Sequence, residues 1–204
     1  TSENNVYKCL NNNSGANSTI EPTSISTSTT TSTSDDYVWK FMYKLSAVGQ
    51  LRFSTDNYFM CKKITSDDQS IQWDVQTDAV DGALSTIIIT DAGENYDNAG
   101  NITVAISGDG ESATATANIN SSTNVISSIT LTDIGSGYTN AIVTITSAGN
   151  GINATARAII SPPGGHGSDA LYELGGRYVI LNPRISGTES GKISVANDFR
   201  QVSI

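Results

Sequence analysis

Cysteine, proline, histidine and basic charge are all scarce in this chain, and each shortage removes a class of explanation. The 204 residues include 2 Cys, 4 Pro and 1 His. Cys9 and Cys61 lie far apart and in no metal-ligand spacing. They read as two free thiols in a reducing compartment, or as one disulfide joining them. Eleven Lys and Arg stand against twenty Asp and Glu, for a net charge of −9. Phosphate backbones call for the opposite sign, so nucleic acid is excluded as a partner. No run of roughly 20 apolar residues occurs, so no membrane helix is encoded. Charged residues make up 15% of the chain, against about a quarter in an average soluble domain. Ser, Thr, Asn and Gly fill the balance, a composition that suits strands and turns rather than helices. The length allows one large β-domain or two small ones, with a core that needs no cross-links.

What the chain does have is one β-pattern written twice between residues 84 and 160. The first copy runs Leu84-Ser-Thr-Ile87-Ile-Ile89-Thr90-Asp91-Ala-Gly93-Glu-Asn-Tyr96, then Val104-Ala-Ile106, then Ala113-Thr-Ala115-Thr-Ala117-Asn-Ile119. The second runs Ile126-Ser-Ser-Ile129-Thr-Leu131-Thr132-Asp133-Ile-Gly135-Ser-Gly-Tyr138, then Val143-Thr-Ile145, then Ala154-Thr-Ala156-Arg-Ala158-Ile-Ile160. Asp91 and Asp133, Gly93 and Gly135, and Tyr96 and Tyr138 are each offset by 42 positions, whereas Val104 and Val143 are offset by 39. A repeat of this length is an architectural unit. Each copy reads as a meander of short antiparallel strands. The small Ala-Thr-Ala faces would let the two units stack closely.

Around the repeat, Val6–Leu10 reads as a strand and residues 24–34 as a long exposed Ser/Thr loop. Asp36–Leu45 is the strongest strand, with Tyr37, Trp39, Phe41, Tyr43 and Leu45 on one face. That face belongs in the core or against a partner. Leu51–Phe53, Asn57–Cys61 and Ile71–Val75 read as further strands, the last turning through Asp81-Gly82 as a hairpin. Ser168–Leu174 reads as a short helix capped by Ser168 and stopped by Gly175. Residues 177–181, 192–195 and 199–204 read as closing strands. Thr1 opens the chain without Met and Ile204 ends it inside a strand-like run, so both ends read as cut from a longer polypeptide.

Chemistry is sparse. His166, Ser168 and Asp169 crowd one loop, too close for a base to sit between nucleophile and acid, so His166 is expected to bond the backbone. Gly164-Gly-His-Gly167 resembles a phosphate loop but lacks the Gly-Lys-Ser/Thr that such loops need. Asp91 and Asp133 could bind calcium or simply close their own turns. Asp35-Asp36 and Asp67-Asp68 read as turn acids. No residue is assigned a catalytic, cofactor-binding or metal-ligating role.

Several segments resemble baseplate wedge subunits of T4-like contractile-tailed bacteriophages. They are Val6-Tyr-Lys-Cys-Leu10, Ile20-Glu-Pro-Thr23, Asp36-Tyr-Val-Trp-Lys-Phe-Met-Tyr-Lys-Leu45, Ser161-Pro-Pro-Gly-Gly-His-Gly-Ser-Asp169 with Leu171-Tyr-Glu-Leu174, and Asp198-Phe-Arg-Gln-Val-Ser-Ile204. They follow one another in order along the chain. The Ser/Thr run and the doubled repeat depart from that pattern. The resemblance implies a non-catalytic virion protein, a homodimer that binds other baseplate wedge proteins in the tail after assembly in the host cytoplasm. The expected fold is mainly β: antiparallel sheets or a sandwich, an inserted two-repeat meander, and at most one or two short helices. The framework would occupy 1–82 and 161–204, with the insertion at 83–160. A host-recognition or carbohydrate-binding β-module of a phage tail is the alternative, and a β-rich hydrolase using His166 the third reading.

Overall fold

The computed structural model describes residues 1–181. The chain divides into two units: Thr1–Leu45 with Cys61–Gly176, and Ser46–Met60 with the chain from Arg177 on. Antiparallel strands dominate, as the composition implies.

In the first unit, β1 (Asn5–Asn12), β2 (Thr30–Ser32) and β3 (Tyr37–Lys44) form an antiparallel sheet in the order β1-β3-β2. The central position of β3 explains why its alternation is not the simple one expected. Phe41 and Tyr43 are buried on one face, but Val38, Lys40 and Met42 are buried on the other. Tyr37 and Trp39 are only half-buried and stack on each other at 5.3 Å. The Ser/Thr run is not free chain either, because Thr30–Ser32 pairs with Val38–Lys40. Asp35 pins the preceding segment, accepting from Ser18 Oγ, Thr19 N and Ile20 N at 2.8–3.1 Å. The hydrogen bond from Thr33, with these others, holds its carboxyl well below the usual range.

The doubled pattern supplies six strands: β4 (Leu84–Asp91), β5 (Ile102–Gly108), β6 (Thr114–Asn120), β7 (Val125–Asp133), β8 (Ala141–Ser147) and β9 (Thr155–Ile160). Their pairing runs between the copies as well as within them. One sheet is β4-β9 and the other β7-β6-β5-β8. The first strand of each copy therefore pairs with the last strand of the other, and the two middle strands pair together. In the middle pair, Val104 faces Ile145 and Ile106 faces Val143, a register that maps onto itself when the copies are exchanged. The two layers also join at both ends of β4 and β7. Leu84 N donates to Ile134 O at 2.8 Å and Ile126 N to Ala92 O at 3.0 Å. The register skips Ser85 and Thr90 in β4, and Ser127 and Thr132 in β7, so bulges fall at equivalent positions. The repeat is thus a pseudo-twofold sandwich. Ile87, Tyr96, Ala117, Ile126 and Ile129 form its core, with Ala115, Ala154 and Ala156 packed against them. Small side chains at these positions allow the layers to approach closely.

Three short helices complete the described chain: α1 (Ala47–Phe53), α2 (Ile71–Thr77) and α3 (Ala170–Glu173). They overturn two strand expectations, at Leu51–Phe53 and Ile71–Val75. In each case a serine decides the matter: Ser46 Oγ accepts from Gly49 N at 3.0 Å and Ser70 Oγ from Trp73 N at 3.3 Å. Both are N-caps, which satisfy helix donors that a strand reading leaves uncounted. Helix α2 also turns Gln72 and Gln76 to one side, a spacing that only a helix aligns. These side chains bond the backbone of Lys62 and Ile64 at 2.6–2.9 Å. Asp81-Gly82 does form a turn, but it leads from a helix into a strand whose partner is β9. Asn57–Cys61 and 177–181 have no regular structure; strands need a partner edge, and none is present for them among the described residues. The expected strands at 192–195 and 199–204 lie outside the described residues. Asp169, not Ser168, caps α3, accepting from Tyr172 N at 3.0 Å.

Equivalent glycines test the duplicated register. Gly93 and Gly135 have φ of +66° and +61°. A Cβ on either would lie 2.5 Å from a backbone oxygen, of Ile152 or Glu111 respectively. Gly93→Ala and Gly135→Ala are each expected to cost roughly 2–4 kcal/mol, by similar amounts, in urea unfolding. A variant with an unchanged midpoint would contradict the register.

Candidate functional site

The chemistry gathers where the loop 161–169 meets β1 and β3. Ser161 fixes the loop, with its N–H on Ala83 O at 2.8 Å and its Oγ on Val80 O at 3.0 Å. The glycine amides that could have cradled a phosphate are engaged by the protein's own acids. Gly164 N donates to Asp81 Oδ1 at 2.7 Å and Gly167 N to Glu173 Oε1 at 2.6 Å. Glu173, at the end of α3, also meets His166 Nδ1 at 2.7 Å and Lys8 Nζ at 3.1 Å. Its side chain is 2% exposed. Burial alone would raise its pKa. The bonds from His166, Gly167 and Lys8 outweigh that effect and hold it below the usual carboxylate range.

His166 therefore bonds a carboxylate, not the backbone as expected. Nδ1 faces the carboxylate and Nε2 is the ring's other polar atom. That atom is buried and has no hydrogen-bond partner. Ser168 and Asp169 do not serve the histidine. Ser168 Oγ donates to Gly165 O at 2.8 Å, while Asp169 caps α3 and pairs with Lys63 at 3.0 Å.

Lys40, which the strand pattern did not single out, is 3% exposed. It lies directly across the sheet from Lys8, so both side chains leave the same face. Glu173 takes Lys8, while Lys40 Nζ donates to Thr27 O at 2.6 Å and forms no ion pair among the described residues. Burial pulls its ammonium down to about 8, against attraction from Asp78 and Glu173. Lys40 and His166 both line a cavity of ≈ 410 Å³. Its walls come from residues 28–32 of the Ser/Thr run, from 78–80, and from β4 and β7 of the repeat. The Ser/Thr run is thus one wall of the site. Asp78 lines the cavity as well and accepts a hydrogen bond from Thr27 Oγ1.

The other candidates stay apart. Asp91 Oδ1 accepts from Gly93 N and Asp133 Oδ1 from Gly135 N, both at 2.9 Å, so each acid closes its own turn. Among the described residues no group of three or more His, Cys, Asp or Glu is placed to hold a metal. Cys9 is exposed, Cys61 is partly buried, and both are free thiols. Among the described residues no helix is long and apolar enough to cross a membrane. Comparison of the chain with protein-family models, curated proteins and solved structures gives no match.

Lys40 sets a pH signature. Its folded pKa of about 8 lies below the ordinary 10.5. Between those values the unfolded chain holds a proton that the folded chain has released, so this group makes stability rise with pH across that window. Lys40→Met is expected to raise stability at pH 7 by up to about 3 kcal/mol and to flatten the rise. Urea unfolding of both proteins at several pH values checks this, and parallel pH profiles would refute it.

Proposed function

We propose that this chain is a non-catalytic structural protein of a contractile phage tail, a baseplate wedge component that works by docking neighbouring chains. The observation that carries the reading is apolar surface in the second unit. On α1, Val48 and Leu51 are 60% and 88% exposed, and Tyr58, Phe59, Tyr178 and Val179 are each at least half exposed. Their three-residue spacing puts Val48 and Leu51 on one helix face. Contiguous apolar surface left in water marks sites where another protein binds.

The segments that resemble wedge subunits support the same reading. Val6–Leu10 lies in β1, Asp36–Leu45 supplies β3, and Ser161–Asp169 is the loop that bonds Glu173. They are elements of the framework, which is where an assembly protein would retain a family pattern. Asp198–Ile204 lies outside the described residues. A permanent virion interface of this kind would bury on the order of 2,000 Å² or more.

Light scattering on the purified chain is expected to give a dimer, and co-expression with wedge proteins of the same tail a stable complex. Leu51→Asp combined with Val179→Ser is expected to change stability by no more than about 1 kcal/mol while weakening that complex. A monomer that binds no baseplate protein would sink the proposal.

A further inference from the structure

The cavity beside β4 and β7 carries polar groups that assembly leaves unused. Lys40 is 3% exposed and His166 is 8% exposed, and both line it. Lys40 Nζ bonds one carbonyl, which leaves two ammonium hydrogens to donate. His166 Nε2 has no partner. The hydroxyls of Ser28, Ser32, Ser85 and Thr86 line the same space, the first two at exposed positions, so His166 Nε2 is the buried orphan atom of the cavity among the described residues. Buried polar atoms without partners are costly, and so they are rare unless something else fills the gap.

We propose that this cavity binds an acidic monosaccharide unit, with the sugar carboxylate on Lys40 and ring hydroxyls on His166 Nε2 and the Ser/Thr wall. The donor and acceptor set matches a ligand with one negative charge and several hydroxyls. Lys40 is the one lysine or arginine among the described residues that line the cavity, and Lys8 is held by Glu173. With Nδ1 on Glu173, Nε2 is left to face the cavity, and a hydroxyl, which both donates and accepts, suits it. Asp78 has one carboxylate oxygen bonded to Thr27 and can accept from a second hydroxyl. A bare phosphate fits poorly. It needs several convergent donors, and the nearby glycine amides are already held by Asp81 and Glu173. The ≈ 410 Å³ of space falls within the usual range for small organic ligands.

The test is titration calorimetry on the full chain. Glucuronate is expected to bind with a dissociation constant on the order of 1 mM, and glucose and inorganic phosphate at least about tenfold more weakly. Lys40→Met is expected to cost at least about tenfold in glucuronate affinity. Ser28→Trp, at an exposed position on the cavity wall, should do the same by filling the space while leaving Lys40 and His166 in place. His166 is the only histidine in the chain, so its ring protons give a unique NMR signal. That signal should shift with glucuronate in the wild type and in neither variant. The proposal is overturned if neither glucuronate nor galacturonate binds, if both variants retain full affinity, or if phosphate binds as tightly as glucuronate. Should Lys40→Met fail to fold, full affinity in Ser28→Trp is enough to overturn it. The oligomeric state has no bearing on these outcomes, so the assembly reading and this one can fail separately.

Discussion

The junction of α3, the loop 161–169 and β1 depends on one buried carboxylate. Glu173 brings together α3, the glycine-rich loop and β1 by taking hydrogen bonds from His166, Gly167 and Lys8. A lone carboxylate would be costly at that depth, and removing any of its partners would leave part of that cost exposed. Lys8 and Lys40 lie opposite each other in the sheet, an arrangement that repels unless an acid stands nearby. Glu173 is that acid. The short helix, the loop and the sheet are therefore joined by charge more than by apolar burial, for the neighbouring core cluster consists only of Met42, Tyr43 and Ala170 with a few half-buried companions.

The repeat follows a different logic. Its two copies exchange outer strands, so the core draws paired contributions from both, Ile87 with Ile129 and Ala115 with Ala156. The turns repeat as well. Tyr96 N donates to Asn124 O at 2.9 Å, and Tyr138 N to Gly82 O at 3.0 Å. Framework chain covers part of this sandwich and creates the cavity there. Ser85 and Thr86 of one copy and Ser128 and Thr130 of the other meet residues 28–32 across it.

How much of this could be read from the amino-acid order varies by element. The six repeat strands were legible because alternation, Gly turns and a fixed offset all agree there. Their partners were not, since a period of two says which face is buried and nothing about which strand lies alongside. Helix α2 was hidden because a five-residue alternation cannot be told from one helical turn, and the deciding facts were a serine cap and two glutamine bonds to a distant segment. Lys40 was hidden for a related reason. A lysine in a strand normally marks the wet face, and only the central position of β3, covered on both sides, makes it an interior group. Glu173 looked like an ordinary helix acid until the fold set it beside a histidine seven residues earlier.

The exchange of strands also orders the events of synthesis. Only β5 with β6 and β6 with β7 pair strands that are neighbours in the chain. β5 must wait for β8, and β4 must wait for β9, whose Ile160 closes against Leu84. β4 therefore emerges with no partner strand, and β5 with one edge open until β8 follows. Long-range pairing of this kind is slow and leaves edges available to other chains. A second nascent copy carries the same missing strands, so crowded synthesis offers a competing route in which copies from different polypeptides close each other's sandwiches.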